Sequence, residues 1–134
     1  MSEQTMRQLV VRGLRTLDAV SVENPAHPGT PDVNYVEGWL ELKQLPRWPK
    51  GDGPVPCRHF RPGQRVWIKR RARAGGRVHV LLQVGRDWLL LPGHEAAVEL
   101  GRGATRLRLE EMAVRVWRGR MDMKELKQCL TLRS

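Results

Sequence analysis

Hydrophobic and polar positions repeat with two different periods along this chain, and the changes of period predict where helices and strands alternate. Over residues 3–17 apolar side chains recur every three or four positions, as on one face of a helix, and Ser2 is a suitable N-cap for it. The period falls to two over residues 19–23, which predicts a strand. Residues 24–31 are dense in Pro and Gly and are predicted to form a loop.

The next segment predicts a hairpin followed by a long loop. Residues 32–36 and 38–43 favour two strands, with a tight turn at Glu37-Gly38. Residues 44–63 contain several prolines and no clear period, so we expect an irregular connection. Loops of this length in a small domain tend to be functional or mobile.

A second helix and two further strands follow the loop. Pro62 suits the first position of a helix, and Gly75-Gly76 suits its end. Residues 78–84 and 87–93 are predicted strands joined at Gly85-Arg86.

The C-terminal part is less regular. Residues 94–100 fit one or two helical turns, residues 104–119 alternate only weakly and stay unassigned, and residues 121–130 predict a helix. The order of elements predicts one α/β domain of 134 residues, with a mixed β-sheet flanked by helices. Four tryptophans are expected in the core or at an interface: Trp39, Trp67, Trp88 and Trp117.

Charge narrows the class of partner. The chain has 24 Lys and Arg against 14 Asp and Glu, a formal net charge of +10, which favours a polyanionic partner such as DNA. No stretch reaches the roughly 20 apolar residues of a membrane span, and the N-terminus lacks the pattern of a signal peptide. Two cysteines are too few for a disulfide framework, so we expect a cytoplasmic protein without a membrane partner. Cys57 and His59 lack a second pair of zinc ligands.

Acidic residues in the predicted hairpin suggest a metal site. Glu41 and Lys43 are two positions apart on a strand and share one face, whereas Leu40 and Leu42 point to the core. The hairpin brings Asp32 across from them. Carboxylates are the ligands that Mg²⁺ prefers, the backbone carbonyl of Leu42 is a natural third ligand, and Mg²⁺ supports phosphodiester hydrolysis. The alternative is an ordinary ion pair at the end of a strand.

These residues resemble a known active-site motif. Pro31-Asp32 followed by Glu41-Leu42-Lys43 resembles the PD-(D/E)xK nuclease superfamily. Residues 60–84 are similar to the segment after the active-site strand in phage-type Holliday junction resolvases and virus-type replication-repair nucleases. The resemblance covers residues 19–92. It implies a restriction-endonuclease-like core over about residues 1–92, with residues 93–134 as an accessory or dimerisation segment.

The resemblance also implies roles for individual residues. Asp32 and Glu41 correspond to Mg²⁺ ligands, with Mn²⁺ as a substitute, and Lys43 corresponds to the group that contacts the attacking water or the scissile phosphate. Gln64 matches a position that supports the active site. A further acid usually completes such a site, and Glu23 at the end of the first strand is our preferred candidate. Glu3 is the alternative, although it lies where a helix frays.

The long loop and the second helix carry a group of basic residues. Arg and Lys contacts to phosphates position DNA without reading its sequence and make binding depend on salt. The alternative is a solvated basic face. Trp48 in the loop either stacks on an unpaired base or covers the core. The candidate DNA-binding residues are Arg47, Lys50, Arg58, Arg61, Arg65, Lys69, Arg70 and Arg73.

The combined hypothesis is a Mg²⁺-dependent, structure-selective DNA endonuclease. The resemblance favours resolution of Holliday junctions, or cleavage of other branched DNA, in phage replication or recombination in the bacterial cytoplasm. Two symmetric cuts favour a two-fold homodimer. The alternatives are a nicking, repair or restriction-like nuclease, or a non-catalytic module that binds nucleic acid.

Overall fold

A computed structural model describes residues 1–131 and shows a six-stranded sheet flanked by helices. The last three residues of the predicted accessory segment, 132–134, lie outside the described residues. The helices are α1 Glu3–Gly13, α2 Pro62–Arg73, α3 Gly93–Glu99, α4 Arg106–Met112 and α5 Met123–Thr131. The strands are β1 Val20–Ser21, β2 Val33–Tyr35, β3 Gly38–Leu45, β4 Arg77–Val84, β5 Asp87–Pro92 and β6 Arg115–Trp117.

The strands lie in the order of the sequence, β1 to β6. Neighbouring strands are antiparallel except β3 and β4, which pair in parallel from Gly38↔Arg77 to Leu45↔Val84. A parallel pair needs a crossover, and the long loop together with α2 provides it. The predicted α/β class, with a mixed sheet flanked by helices, is confirmed.

Each face of the sheet has its own apolar core. On one face α1 and α5 bury Met6, Val10 and Leu126 against the sheet. On the other face α2, α3 and α4 form the second core, with Ile68 on α2 and Leu109 on α4. Buried strands between two helical layers explain why β4 and β5 are nearly continuous apolar runs.

The first helix and first strand are shorter than predicted. Ser2 caps α1 as expected, since its Oγ accepts from the Thr5 N–H at 3.1 Å. The helix ends at Gly13, and a 3₁₀ turn, Arg15–Leu17, follows it. β1 has only two residues, both exposed at the edge of the sheet.

The other predicted elements agree closely with the structure. Pro62 opens α2, and Gly75 with φ of +95° follows its end. Tyr35 pairs with Gly38, so Val36 and Glu37 form the turn of the first hairpin rather than Glu37-Gly38. The unassigned residues 104–119 contain α4 and β6.

The tryptophans are largely buried. Trp67, Trp88 and Trp117 lie in the cores, and the partly buried Trp39 packs against Trp67 edge to face. Trp48 packs against the α2-side core and donates from Nε1 to Asp87 Oδ2 at 2.9 Å. These contacts favour the alternative in which Trp48 covers the core over the one in which it stacks on an unpaired base. Among residues 1–131, no helix has both the length and the apolar character needed to span a membrane.

Candidate active site

A cavity of about 220 Å³ opens where β2 begins and β3 continues past it. The pairing of β2 with β3 reaches only Val33↔Leu40, so within residues 1–131 the next part of β3 has no strand beside it on that edge. Asp32, directly before β2, takes the place of the missing strand: its Oδ2 accepts from the Leu42 N–H at 2.9 Å. The cavity is lined by Glu3, Met6, Arg7, Asp32, Glu41, Leu42, Lys43, His59, Arg61 and Gln64.

The alternation of β3 places its polar side chains at this cavity. Leu40 and Leu42 belong to the α1-side core, as predicted, and Glu41 and Lys43 point to the opposite face. Glu41 is 1% exposed and Lys43 is 3% exposed. The sequence prediction that Asp32, Glu41 and Lys43 share one site therefore agrees with the structure.

The Glu41 carboxylate accepts no hydrogen bond within residues 1–131, although the Lys43 ammonium lies beside it. Lys43 Nζ lies 3.2 Å from Glu41 Oε2, within ion-pair distance but without the alignment of a hydrogen bond. Lys43 Nζ instead donates to Gln64 Oε1 at 3.0 Å and to the His59 carbonyl at 3.1 Å. Within the described part of the chain, neither oxygen of Glu41 accepts a hydrogen bond. A buried carboxylate without donors is costly when it is ionised.

Burial, together with the nearby Asp32 carboxylate, raises the pKa of Glu41 to about 8, although Lys43 acts in the opposite direction. Glu41 is therefore largely protonated at neutral pH while no further cation is beside it. A cation placed between Glu41 and Asp32 would favour the ionised carboxylate.

The oxygen atoms at the cavity suit a hard divalent cation as ligands. Asp32 and Glu41 supply carboxylate oxygens, and the Leu42 carbonyl faces the same open edge as its N–H, because both groups of a strand residue point to one side. Across residues 1–131, no group of three or more His, Cys, Asp or Glu side chains could hold a metal ion. Mg²⁺ is commonly bound through only one or two carboxylates and keeps several waters, so this smaller set suits it.

Gln64 connects the start of α2 to the site. Its Oε1 accepts from the Arg61 N–H at 2.8 Å, which caps the helix, and from Lys43 Nζ. The hydrogen bond from the Arg61 N–H holds the Gln64 side-chain amide in place, and that amide in turn holds the Lys43 ammonium group. Gln64 thus lines the cavity and contacts Lys43 there.

The two candidate acids lie in different places, and the placement favours Glu3 over the preferred Glu23. Glu3 lines the cavity, whereas Glu23 is exposed in the loop after β1 and does not line it. β1 ends at Ser21, two residues earlier than predicted, so Glu23 is not held by the sheet. The Ser2 cap and the burial of Met6 hold the first turn of α1 beside the site.

Arg7 is a site residue that the sequence analysis missed. Its Nη2 donates to Asp32 Oδ1 at 2.8 Å and its Nη1 donates to Ser21 Oγ at 2.9 Å. Arg7 follows the buried Met6 and lies one helical turn after Glu3, so helical spacing alone places it next to Glu3. The missing information was that α1 packs against β3 and β1, which brings Arg7 to Asp32 just before β2.

His59 is the second missed residue. Its carbonyl accepts from Lys43 Nζ, and the residue lines the cavity. Burial first, and repulsion from Lys43 second, lower the pKa of His59, so the imidazole is neutral near pH 7.

The predicted DNA-binding residues have different surroundings. Arg61 is exposed and lines the cavity. Lys69 on α2 is half-buried. The remaining candidates except Arg65 are exposed and do not line the cavity, namely Arg47, Lys50, Arg58, Arg70 and Arg73.

Arg65 is buried, contrary to the prediction that it contacts DNA. It is 4% exposed, and its guanidinium donates to the carbonyls of Phe60 at 3.1 Å and Ala97 at 2.9 Å. It also stacks on the Phe60 ring at 4.3 Å. These contacts join α2 to α3, so Arg65 is a structural residue and the prediction that it contacts DNA is wrong.

No protein-family model matches this chain, and no curated protein sequence matches it at a significant level. The function must therefore be inferred from the cavity and its charges.

Proposed function

We propose that this protein is an endonuclease that hydrolyses phosphodiester bonds of DNA and depends on Mg²⁺, with Mn²⁺ as a substitute. One observation carries the proposal. The buried Glu41 carboxylate, which has no hydrogen-bond donor among residues 1–131, lies in the same cavity as Asp32 and Lys43. Two acids and a buried lysine at an open strand edge match the requirements of metal-assisted phosphoryl chemistry.

The residues of the cavity have separate roles in this proposal. Asp32, Glu41 and the Leu42 carbonyl would hold the cation, which when bound polarises a phosphoryl oxygen and lowers the pKa of water. Lys43, fixed by Gln64 and the His59 carbonyl, presents its charge to the attacking water or to the phosphate.

Two arginines provide the positive rim of the cavity. Arg61 lines it from the start of α2, and Arg7 lines it from α1. Guanidinium groups suit a phosphate because they offer several donors in one plane. Their positions on opposite sides of the sheet suit a phosphate lying between α1 and α2.

The substrate we propose is branched DNA, above all the four-way junction. The net charge of +10 supports a nucleic acid, and the sequence resemblance of residues 19–92 supports a junction. Paired cuts across a junction favour a two-fold dimer, with residues 93–134 as the segment that joins the two copies. A stable monomer in sedimentation, both free and on DNA, would contradict the dimer.

One observation favours a second function, a module that binds DNA without cutting it. The Arg7 guanidinium already occupies Asp32 Oδ1 at 2.8 Å, so a cation must share this carboxylate with Arg7. In a binding module the Arg7–Asp32 ion pair would be permanent, and Mg²⁺ would neither change DNA binding nor cause cleavage.

A panel of labelled substrates separates these functions. Four-way junction, flap, linear duplex and single strand are incubated with the protein in Mg²⁺ or in EDTA, and Glu41→Ala is the inactive variant. Symmetric paired cuts in the junction, lost in Glu41→Ala although it still binds, are the expected result. Equal or better cutting of another substrate would overturn the junction specificity. Binding without cutting in Mg²⁺ and in Mn²⁺ would favour the binding module.

A further inference from the structure

A second depression adjoins the cavity and has a different character. It lies between α1 and β1 and has a volume of about 420 Å³. We call it the α1 groove, and its lining residues are Gln4, Arg7, Gln8, Val11, Arg12 and Ser21. The five residues from α1 repeat at intervals of three and four positions, counted from Gln4, and so form one stripe along the helix. Arg7 lines both depressions, so the α1 groove lies next to the cavity.

The chemistry of the α1 groove suits an anionic chain. Its two charged side chains are both arginines, Arg7 and Arg12, and its polar groups are amides and a hydroxyl. No acidic residue lines it within the described residues. Arg, Gln and Ser side chains are common donors to the phosphates and sugars of DNA.

Both arginines have donors to spare. A guanidinium has five N–H groups, and Arg7 uses one for Asp32 and one for Ser21. Arg12 is exposed, and its side chain makes no hydrogen bond or ion pair within residues 1–131. Their separation of five residues is about 7.5 Å along the helix axis. Successive phosphates of one B-DNA strand rise about 3.4 Å along the duplex axis, and because the strand winds around that axis they lie farther apart than this in space. Arg7 and Arg12 can therefore contact different phosphates of one strand.

We propose that the α1 groove binds the DNA backbone next to the scissile phosphate. Arg7 lies at the boundary between cavity and groove, and Arg12 contacts a further phosphate of the same strand. This inference rests on the proposed function, because it takes the cavity as the place of the scissile phosphate. It adds a DNA surface on α1 to the basic residues of the long loop and α2.

The test compares two arginines that carry the same charge. Arg12→Ala removes a charge from the α1 groove, and Arg15→Ala removes one from an exposed position that does not line it. Binding of a fluorescent four-way junction is measured in EDTA over a range of salt concentrations. We expect Arg12→Ala to weaken binding several-fold and to reduce the slope of log K against log salt by about one. Arg15→Ala should leave the slope unchanged.

Each other outcome overturns the inference. Equal losses in the two variants would show an effect of net charge alone, and no loss in Arg12→Ala would exclude a phosphate contact there. A wild-type protein that does not bind DNA in EDTA would also overturn it. Failure of the proposed function is a separate result, because a protein that binds the junction in EDTA but does not cut it in Mg²⁺ still tests the groove.

Discussion

Replacing Glu41 with glutamine should stabilise the protein while abolishing the proposed nuclease activity. The carboxyl is buried without donors, and its pKa is raised to about 8 from the usual 4.5. An acid whose pKa is raised by folding contributes its full stability below pH 4.5, and that contribution is lost as the pH rises through about 8. Glutamine is uncharged at every pH and fills nearly the same volume, so Glu41→Gln should escape this loss.

The size of the effect follows from the two pKa values. At about 1.4 kcal/mol per pH unit, the gap between 4.5 and about 8 corresponds to roughly 5 kcal/mol above pH 9. At pH 7 only the part between 4.5 and 7 has been lost, which is roughly 3 kcal/mol. The difference in the free energy of unfolding between Glu41→Gln and wild type should therefore grow with pH, from near zero at pH 4.5.

Urea unfolding in EDTA measures this difference. The chain has five tryptophans, three of them buried, so fluorescence follows the transition. Both proteins are unfolded at pH 5, 7 and 9, and the free energies are extrapolated to water. Titrating groups that do not interact with Glu41 cancel in the difference, whereas Asp32 and Lys43 titrate together with it and contribute to the profile. If the two pH profiles run parallel, Glu41 is already ionised in the folded state and the reasoning from burial is refuted.

Three further predictions concern other parts of the molecule. Glu3→Gln should slow Mg²⁺-dependent cleavage about tenfold, because Glu3 lines the cavity, whereas Glu23→Gln should leave the rate unchanged. A slower rate in Glu23→Gln than in Glu3→Gln would instead favour Glu23 as the further acid. Arg65→Ala should lower the free energy of unfolding by about 3 kcal/mol, since it leaves two buried carbonyls without their donor, yet keep the salt dependence of DNA binding. A reduced salt slope would instead make Arg65 a phosphate contact. Asp122→Ala should cost about 1 kcal/mol in urea unfolding, because Asp122 Oδ1 accepts from two N–H groups of the first turn of α5; unchanged stability would mean that this cap is not formed.

The central part of the site was predictable because it depends on local rules. Alternation along one strand fixes the shared face of Glu41 and Lys43, and a short hairpin fixes the position of Asp32 opposite them. Gln64 came from the resemblance to the nuclease motif, and the proline at the start of α2 indicates only that it lies in the first turn of that helix.

The remainder of the site depends on packing between distant segments. Glu3 and Arg7 reach the cavity because Met6 and Val10 bury α1 against the sheet, and no periodicity in residues 3–17 reveals that crossing. Arg65 resembles the other arginines of its helix in sequence. Only the contact of α2 with α3, made through the Ala97 carbonyl, shows that its side chain is enclosed.

Cleavage of one labelled four-way junction by three proteins purified in the same way tests the central claim most directly. Wild type, Glu41→Gln and Glu23→Gln are compared under single-turnover conditions in Mg²⁺ and in EDTA, with binding measured in parallel. The account predicts that wild type and Glu23→Gln cut only in Mg²⁺, and that Glu41→Gln binds the junction without cutting it. Cleavage by Glu41→Gln at the wild-type rate, or cleavage by wild type in EDTA, would contradict a metal-dependent site at Glu41.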